Sequence, residues 1–250
     1  MNTLNFHLIT FKNAWGTRMK PYEKIANDFR AFLLEKGNEA YSHLKDFFVI
    51  QKEQFYTARI DELKEQGLNE QDAINKARQG WVSVIGRGLE SVVEILITDF
   101  CKQHSLKVTN DKILRAKNLN AELDSVKRML LVHFGDYSVL PDGDIILYKI
   151  ENNLPKILAI LSIKNSFRER YAETPYWKLK LLETEITKHI KVFMITPDSD
   201  DEISFSQNPK KSRIVMEYEL DGIYLAKNTF DKSNKVKGIE SLLIDLRELL

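Results

Sequence analysis

Two short β-rich runs, residues 144–150 and 156–164, constrain the fold of this chain more than any other feature. Both are rich in Ile and Leu, and the polar residues Glu151-Asn152-Asn153 begin the connection between them. Runs of this length on either side of a short polar turn predict the two strands of a β-hairpin. A third apolar run, residues 191–196, predicts a further strand.

A helical pattern lies between the hairpin and the third strand. Pro175 opens it in the first-turn position that proline favours, and it runs to about residue 189. At 100° per residue its predicted buried stripe places Glu183 just inside the edge and consists of Leu179, Leu182, Ile186 and Ile190. The order strand, strand, helix, strand predicts an α/β domain with a mixed central sheet flanked by helices.

The first hundred or so residues carry a different pattern. Apolar side chains recur every three or four positions in residues 21–35, 41–63 and 85–102, which predicts helices. Asn69 is the expected N-cap of another helix, which Gly80 ends. The chain therefore divides into a helical N-terminal subdomain and an α/β domain, with the boundary at about residue 80.

The remaining segments are read from the same local signals. A helix is predicted over residues 121–133, before the hairpin. After the third strand, residues 197–211 are rich in Asp, Ser, Asn and Pro and predict a surface loop. Two short strands, over residues 213–218 and 222–225, and a helix from Gly238 are expected to close the chain.

Composition excludes several classes of protein. The single cysteine, Cys101, cannot form an internal disulfide and fits a buried thiol in a reducing cytosol. No apolar run reaches the ~18–20 residues of a membrane span, and the N-terminus has no signal-peptide pattern, so we expect a cytoplasmic protein with no membrane partner. The five histidines lack metal-ligand spacing, and no phosphate-binding loop motif occurs. The net charge of +1 means that any nucleic-acid-binding charge must be local.

Acidic and basic side chains stand at the ends of the two hairpin strands. Asp144 begins the first run, and Asp142 would share its face if the strand already began at Asp142. Ser162 and Lys164 share a face at the end of the second run. An acid at the start of one strand and a lysine at the end of its antiparallel partner meet at one end of the sheet. Carboxylates of this kind can hold Mg²⁺, while a lysine can orient the water that attacks a phosphodiester.

This arrangement resembles the PD-(D/E)xK nuclease superfamily. Pro141-Asp142, or alternatively Asp144, matches the first part of its pattern, and Ser162-Ile163-Lys164 matches the second, with Ser162 in place of the second acid. The sequence is similar to a branch of type II restriction endonucleases that carries Ser-x-Lys and cuts CCGG or CCNGG sites. In that branch a glutamate on the following helix replaces the missing acid, and Glu183 is the candidate here. Asp144 is preferred as the first ligand, with Asp142 close behind.

Further residues follow from the same resemblance. The branch reads C·G pairs with an Arg-(Asp/Glu)-Arg motif, which Arg168-Glu169-Arg170 matches. Arginine can donate to guanine O6 and N7, and a carboxylate can accept from cytosine N4. Related nucleases place a glutamate of an early helix beside the metal, and Glu90 is the candidate. Apart from the resemblance, the basic side chains of Lys178 and Lys180 can either contact DNA phosphates or simply solubilise the predicted helix; we expect the phosphate contact.

The resemblance implies a restriction-endonuclease-like fold and a type II site-specific deoxyribonuclease. The enzyme would use Mg²⁺, cut double-stranded DNA at a short palindrome with C·G pairs and act as a homodimer. Residues 1–80 would serve dimerisation or DNA clamping, residues 81–250 would form the nuclease domain, and a cognate DNA methyltransferase would be encoded nearby. The alternatives are a repair or recombination nuclease that reads DNA structure, and a non-catalytic DNA-binding protein of the same fold.

Overall fold

The structure is a computed structural model that describes residues 19–41, 43–167 and 171–250. Its helices and strands, numbered in chain order, are α1 (Pro21–Lys36), α2 (Leu44–Glu65), α3 (Glu70–Gln103), β1 (Lys107–Thr109), α4 (Asp111–Leu114), α5 (Ala121–Leu130), β2 (Val132–Phe134), β3 (Tyr137–Val139), β4 (Ile145–Glu151), β5 (Leu154–Ile163), α6 (Glu173–Leu182), β6 (Lys191–Thr196), α7 (Lys211–Glu219), β7 (Gly222–Leu225), β8 (Val236–Gly238) and α8 (Leu242–Arg247). None of the helices in these ranges is long and apolar enough to cross a membrane.

Six strands form the central sheet in the order β1-β4-β5-β6-β7-β8. The pairs β1–β4 and β4–β5 are antiparallel, whereas the pairs β5–β6, β6–β7 and β7–β8 are parallel. The predicted mixed sheet and the hairpin of β4 and β5 are thereby confirmed. Asn152 and Asn153 make the hairpin turn with φ of 51° and 64°, a left-handed conformation that asparagine tolerates better than most residues.

Hydrophobic side chains fill both faces of this sheet, which gives three layers. On one face the helices α1 to α3 and inward side chains of the sheet form one cluster, whose largest fully buried members are Tyr224, Phe29, Leu44, Leu89, Ile97, Ile145, Leu147 and Leu161. On the other face α5, α6 and α7 cover a second cluster that includes Val126, Leu130, Ile146, Ile160, Leu181 and Met216. The sheet is therefore buried on both sides, and its strand ends are where polar groups reach the surface.

The N-terminal helices agree with the sequence pattern except at one point. Asn69 caps α3 as predicted, because its side chain accepts a hydrogen bond of 2.9 Å from the backbone N–H of Asp72. Gly80, however, does not end a helix, since α3 continues through it to Gln103. The side chain of Phe55 on α2 lies against Gly80, so glycine permits close helix packing there. The expected boundary at residue 80 thus falls inside α3.

Two other predictions of secondary structure are wrong. Residues 213–218 are helical, within α7, because Ser212, Arg213 and Met216 at helical spacing face the protein interior. The helix predicted to reach residue 189 ends at Leu182, and a series of turns follows. Short strands β1, β2 and β3, each of three residues, were not predicted because so few residues carry no periodic signal.

Candidate active site

Asp144 and Lys164 meet at one end of the β4–β5 hairpin. The register pairs Ile145 with Leu161, which sets the residue before β4 opposite the end of β5. One carboxylate oxygen of Asp144, Oδ2, accepts a hydrogen bond of 2.7 Å from the backbone N–H of Ile163. The same oxygen lies 3.6 Å from Nζ of Lys164. The other oxygen, Oδ1, has no hydrogen-bond partner among the described residues.

The backbone around this pair is held firmly. Lys164 follows β5 directly, and its N–H donates a 3.0 Å hydrogen bond to the carbonyl of Ile195 on β6. Gly143 precedes Asp144 where a Cβ would lie only 3.0 Å from Cγ2 of Ile160. The sequence therefore brings a carboxylate and an ammonium together on rigid strands, and the Lys164 and Asp144 side chains remain 31% and 16% exposed.

Asp142 occupies a different position. It lies before the first residue of β4, so the strand alternation that would align it with Asp144 does not apply. Its Oδ1 accepts a 2.8 Å hydrogen bond from Arg115, which also donates to the Asp111 carboxylate at 3.2 Å. Asp142 thus ties the turn before β4 to helix α4, while Asp144 is the aspartate that faces Lys164.

Ser162 lies on β5, two residues before Lys164. Its side chain is buried, and its Oγ shares a hydrogen bond of 2.9 Å with Oγ1 of Thr174. Thr174 belongs to the first turn of α6, so this bond joins strand β5 to the helix that covers it. The serine at the place of the second acid therefore links two elements through a neutral hydrogen bond.

Glu90 contributes a second carboxylate from the middle of α3. Both of its oxygens contact Nζ of Lys112 on α4, at distances of 3.1 and 3.4 Å. Desolvation opposes the charged form of Lys112, but the Glu90 hydrogen bond and the charges of Glu90, Asp144 and Asp111 outweigh it and raise the pKa of Lys112. One ammonium thus lies within electrostatic range of Glu90, Asp144 and Asp111 together.

A further glutamate, Glu94, lies one helical turn beyond Glu90. Desolvation, followed by the negative charge of Glu90, raises the pKa of Glu94, although Lys112 acts in the opposite direction. Negative charge is therefore concentrated on this side of α3. Among the described residues, even so, no group of three or more His, Cys, Asp or Glu side chains is placed to hold a metal ion.

Glu183 lies apart from these residues, and the reasoning that placed it inward is wrong. Three of the four residues of the predicted stripe are exposed, since Leu179 and Leu182 are each 46% and Ile186 is 61% accessible. Ile190 is buried, but it lies beyond the end of α6. The helix instead buries Thr174, Pro175, Lys178 and Leu181. Glu183 follows the last residue of α6, is 55% exposed and pairs at 2.6 Å with Lys180.

The two lysines of α6 have different surroundings. Lys178, expected at a DNA phosphate, is only 5% exposed, and its Nζ contacts Asp221 at 2.7 Å and the carbonyl of Ile190 at 3.0 Å. The Lys178 ammonium is therefore bonded to groups within the protein, which corrects the expectation that it contacts a DNA phosphate. Lys180 lies over the ring of Phe134, 5.4 Å from the ring centroid, and remains partly exposed.

Arg168, Glu169 and Arg170 lie outside the described residues. The described chain stops at Phe167, which is buried, and resumes at Tyr171, two residues before α6 begins. In the sequence, the triplet therefore lies between Lys164, at the end of β5, and helix α6.

Sequence reasoning missed Lys112, Arg115 and Thr174. Lys112 and Arg115 come together with Asp144 and Asp142 only through the pairing of β1 with β4. One local signal was available, because Asn110 caps α4 by accepting a 2.8 Å hydrogen bond from the N–H of Ile113. Thr174, next to the predicted helix start, had no such signal.

The structure thus brings an acid and a lysine together at the end of paired strands of a mixed sheet, and Lys112 links this end of the sheet to a glutamate of the long helix α3. The family model described as "BsaWI restriction endonuclease type 2" matches residues 122–245. "Putative type II restriction enzyme MjaVIP" of Methanocaldococcus jannaschii is 45% identical over 224 residues, which cover 88% of this chain and 97% of that protein. "Probable type II restriction enzyme HpyAORF263P" of Helicobacter pylori is 55% identical over 186 residues, with 74% and 95% covered.

Among solved structures, the BsaWI restriction endonuclease in its pre-specific complex with DNA covers 92% of this chain and 91% of its own, with a TM-score of 0.41 and 12% identity. The identity and coverage of the curated relatives are decisive: this chain belongs to the family of type II restriction endonucleases, and it is an enzyme.

Proposed function

We propose that this enzyme hydrolyses phosphodiester bonds in double-stranded DNA at a short palindromic site with C·G pairs, by the Mg²⁺-dependent chemistry of the PD-(D/E)xK nucleases. The observation that carries the proposal is the meeting of Asp144 with Lys164 at the end of the β4–β5 hairpin. Restriction endonucleases of this kind generally use a divalent metal, and the PD-(D/E)xK pattern places it beside such an acid and lysine.

Asp144 and Glu90 are the residues that would hold Mg²⁺. Mg²⁺ usually takes one or two protein carboxylates and completes its shell with waters and substrate phosphate, so two acids are sufficient. Oδ1 of Asp144 has no protein partner in the described residues, as a ligand oxygen requires. When bound, Mg²⁺ would polarise the scissile phosphate and lower the pKa of the attacking water. Glu183, exposed and paired with Lys180, is not part of the proposed metal site.

Lys164 would orient the attacking water and donate a hydrogen bond to it or to a phosphate oxygen. Its Nζ lies beside the Asp144 carboxylate, so the ammonium is held close to the oxygens that would bind the metal. Because the backbone N–H of Lys164 itself donates to the carbonyl of Ile195 on β6, the position of Lys164 is set by the sheet. Ser162 would support this geometry through Thr174.

Recognition of C·G pairs is assigned to Arg168, Glu169 and Arg170. Each bidentate arginine–guanine contact contributes ~1–3 kcal/mol of discrimination. Lys180 is retained as a phosphate contact because its side chain is partly exposed. A palindromic site is matched by a two-fold protein, so we propose a homodimer in which the helices of residues 1–80 serve dimerisation or DNA clamping. A cognate methyltransferase would protect the host DNA.

The test compares two aspartates that lie two residues apart. Asp144→Asn and Lys164→Ala should each reduce plasmid cleavage in Mg²⁺ by about 100-fold or more, as expected for loss of a group that acts on the reacting atoms. Asp142→Asn is the matched control and should retain most activity, because Asp142 pairs with Arg115. Equal cleavage by wild type and Lys164→Ala would refute the assignment.

Specificity is tested by sequencing the ends of digested DNA. Discrete fragments with C·G pairs at every cut site support a site-specific enzyme, whereas cuts at branched or nicked structures would indicate a repair nuclease. Binding to DNA without any cleavage would indicate a non-catalytic relative. Replacing Arg168 or Arg170 should abolish specific binding while weak, sequence-independent binding persists.

A further inference from the structure

The ammonium of Lys112 is paired with Glu90, the second carboxylate of the proposed metal site. Its Nζ contacts both oxygens of Glu90, at 3.1 and 3.4 Å, so its charge is shared between the two atoms that would bind a metal. A Mg²⁺ ion requires a carboxylate oxygen at ~2.0–2.1 Å. The positive charge of Lys112, held against both oxygens, therefore opposes the binding of a second cation to this carboxylate.

The backbone that carries Lys112 is fixed close to the active site. The N–H of Asp111 donates a 3.0 Å hydrogen bond to the carbonyl of Gly143, the residue before Asp144. Asn110 caps the same short helix. The Lys112 side chain itself is 63% exposed, so its four-carbon chain can move while its attachment point stays near the catalytic aspartate.

We propose that Lys112 is an internal counter-ion of the metal site, which occupies Glu90 in the free enzyme and moves to a DNA phosphate when substrate binds. The inference rests on the proposed function, because it requires Glu90 to be a metal ligand. Lysine is a common phosphate contact in protein–DNA complexes, and the backbone anchor keeps it at the edge where DNA must approach Asp144. Metal binding and DNA binding are thereby coupled through one side chain.

The coupling predicts opposite effects on two ligands. Exposed ion pairs contribute up to ~1 kcal/mol, which corresponds to about fivefold in an equilibrium constant. Lys112→Met should therefore bind Mn²⁺, measured by electron paramagnetic resonance on the free protein, up to about fivefold more tightly than wild type. The same variant should bind a mixed-sequence DNA duplex more weakly without metal, with the salt dependence of binding reduced by about one phosphate contact.

Three variants make the test specific. Lys107→Met is the matched control, since Lys107 pairs with Glu122 at 2.5 Å in the same part of the chain, and its Mn²⁺ affinity should equal that of wild type. Lys112→Arg retains the charge and should also resemble wild type. Adding Glu90→Gln to Lys112→Met should remove the gain in Mn²⁺ affinity. Circular dichroism establishes that each variant is folded.

The outcomes separate this inference from the function on which it rests. Equal Mn²⁺ affinity in wild type and Lys112→Met, with binding still lost in Asp144→Asn, would overturn the role of Lys112 and leave the proposed metal site intact. A gain that persists with Glu90→Gln would also overturn it. If Asp144→Asn does not alter Mn²⁺ binding by wild type, the proposed function fails, and this inference fails with it.

Discussion

The buried ammonium of Lys178 gives the sharpest test of how this fold is held together. It is bonded to Asp221 at 2.7 Å and to the carbonyl of Ile190 at 3.0 Å, with its side chain 6% exposed. Asp221 also accepts from Lys191 at 3.0 Å and from the N–H of Val192 at 2.9 Å. The cluster therefore joins helix α6 to the starts of strands β6 and β7.

The size of the effect depends on which partner is removed. Lys178→Met deletes the ammonium and keeps the volume of the side chain, while Asp221 retains two donors. We expect a loss of about 2 kcal/mol in the free energy of unfolding, below the ~3–5 kcal/mol of an uncompensated buried charge. Asp221→Ala leaves the Lys178 ammonium buried with one carbonyl partner and should cost about 4 kcal/mol.

Urea denaturation followed by circular dichroism measures these losses. Lys188→Met is the matched control, since Lys188 is 52% exposed in a surface ion pair with Glu185, and it should change stability by less than ~0.5 kcal/mol. If Lys178→Met were as stable as wild type but bound DNA more weakly, Lys178 would be a phosphate contact and the structural role argued here would be refuted.

Three further results are expected from other parts of the structure. Gly88→Ala should destabilise the protein in thermal unfolding, because a Cβ there would lie 2.8 Å from Cδ1 of Ile25, and overpacking costs ~1–3 kcal/mol. A Cβ added at Gly86 on the same helix would meet no atom within 4 Å, so Gly86→Ala should stabilise the protein by ~1 kcal/mol. A Gly88→Ala variant more stable than Gly86→Ala would refute the packing argument. Burial raises the pKa of the Cys101 thiol to about 11, so a thiol reagent should modify it only on unfolding, and rapid modification of the native protein would contradict this. Desolvation acts to raise the pKa of Asp221, but hydrogen bonds from Lys178 and Val192 outweigh it and hold the pKa below its ordinary value. The ionised Asp221 carboxylate therefore stabilises the fold at neutral pH, and this stabilisation is lost as the pH falls through the lowered pKa. The stability difference between wild type and Asp221→Asn should therefore shrink in acid, and a difference that grows would contradict it.

The order of elements around the site was predictable because it rests on local signals. The apolar runs of β4, β5 and β6, the asparagine turn and the proline-containing start of α6 are each contained in fewer than about ten neighbouring residues, where backbone preference dominates. Once the hairpin is predicted, antiparallel pairing alone brings the residue before β4 to the end of β5. For this reason the sequence predicts that an acid before β4, Asp144 or Asp142, meets Lys164.

What depends on long-range packing was not predictable. The face that α6 turns inward is decided by how the helix lies on the sheet, and it buries Lys178 because Asp221, far along the chain, meets its charge. The exposed position of Glu183 follows from the same rotation of the helix. Apolar periodicity could not show it, since Leu179 and Leu182 form an equally apolar stripe that stays at the surface.

The choice between the two aspartates separates local from tertiary information most clearly. The sequence by itself determined that an acid before one strand would face a lysine at the end of its partner, because pairing and alternation are local properties of the chain. Only the tertiary structure decided which of the two aspartates faces the lysine. The pairing of β1 with β4 brings Arg115 to Asp142, and Asp144 is the aspartate that faces Lys164. The same pairing brings Lys112 to Glu90, a contact that no local pattern contains.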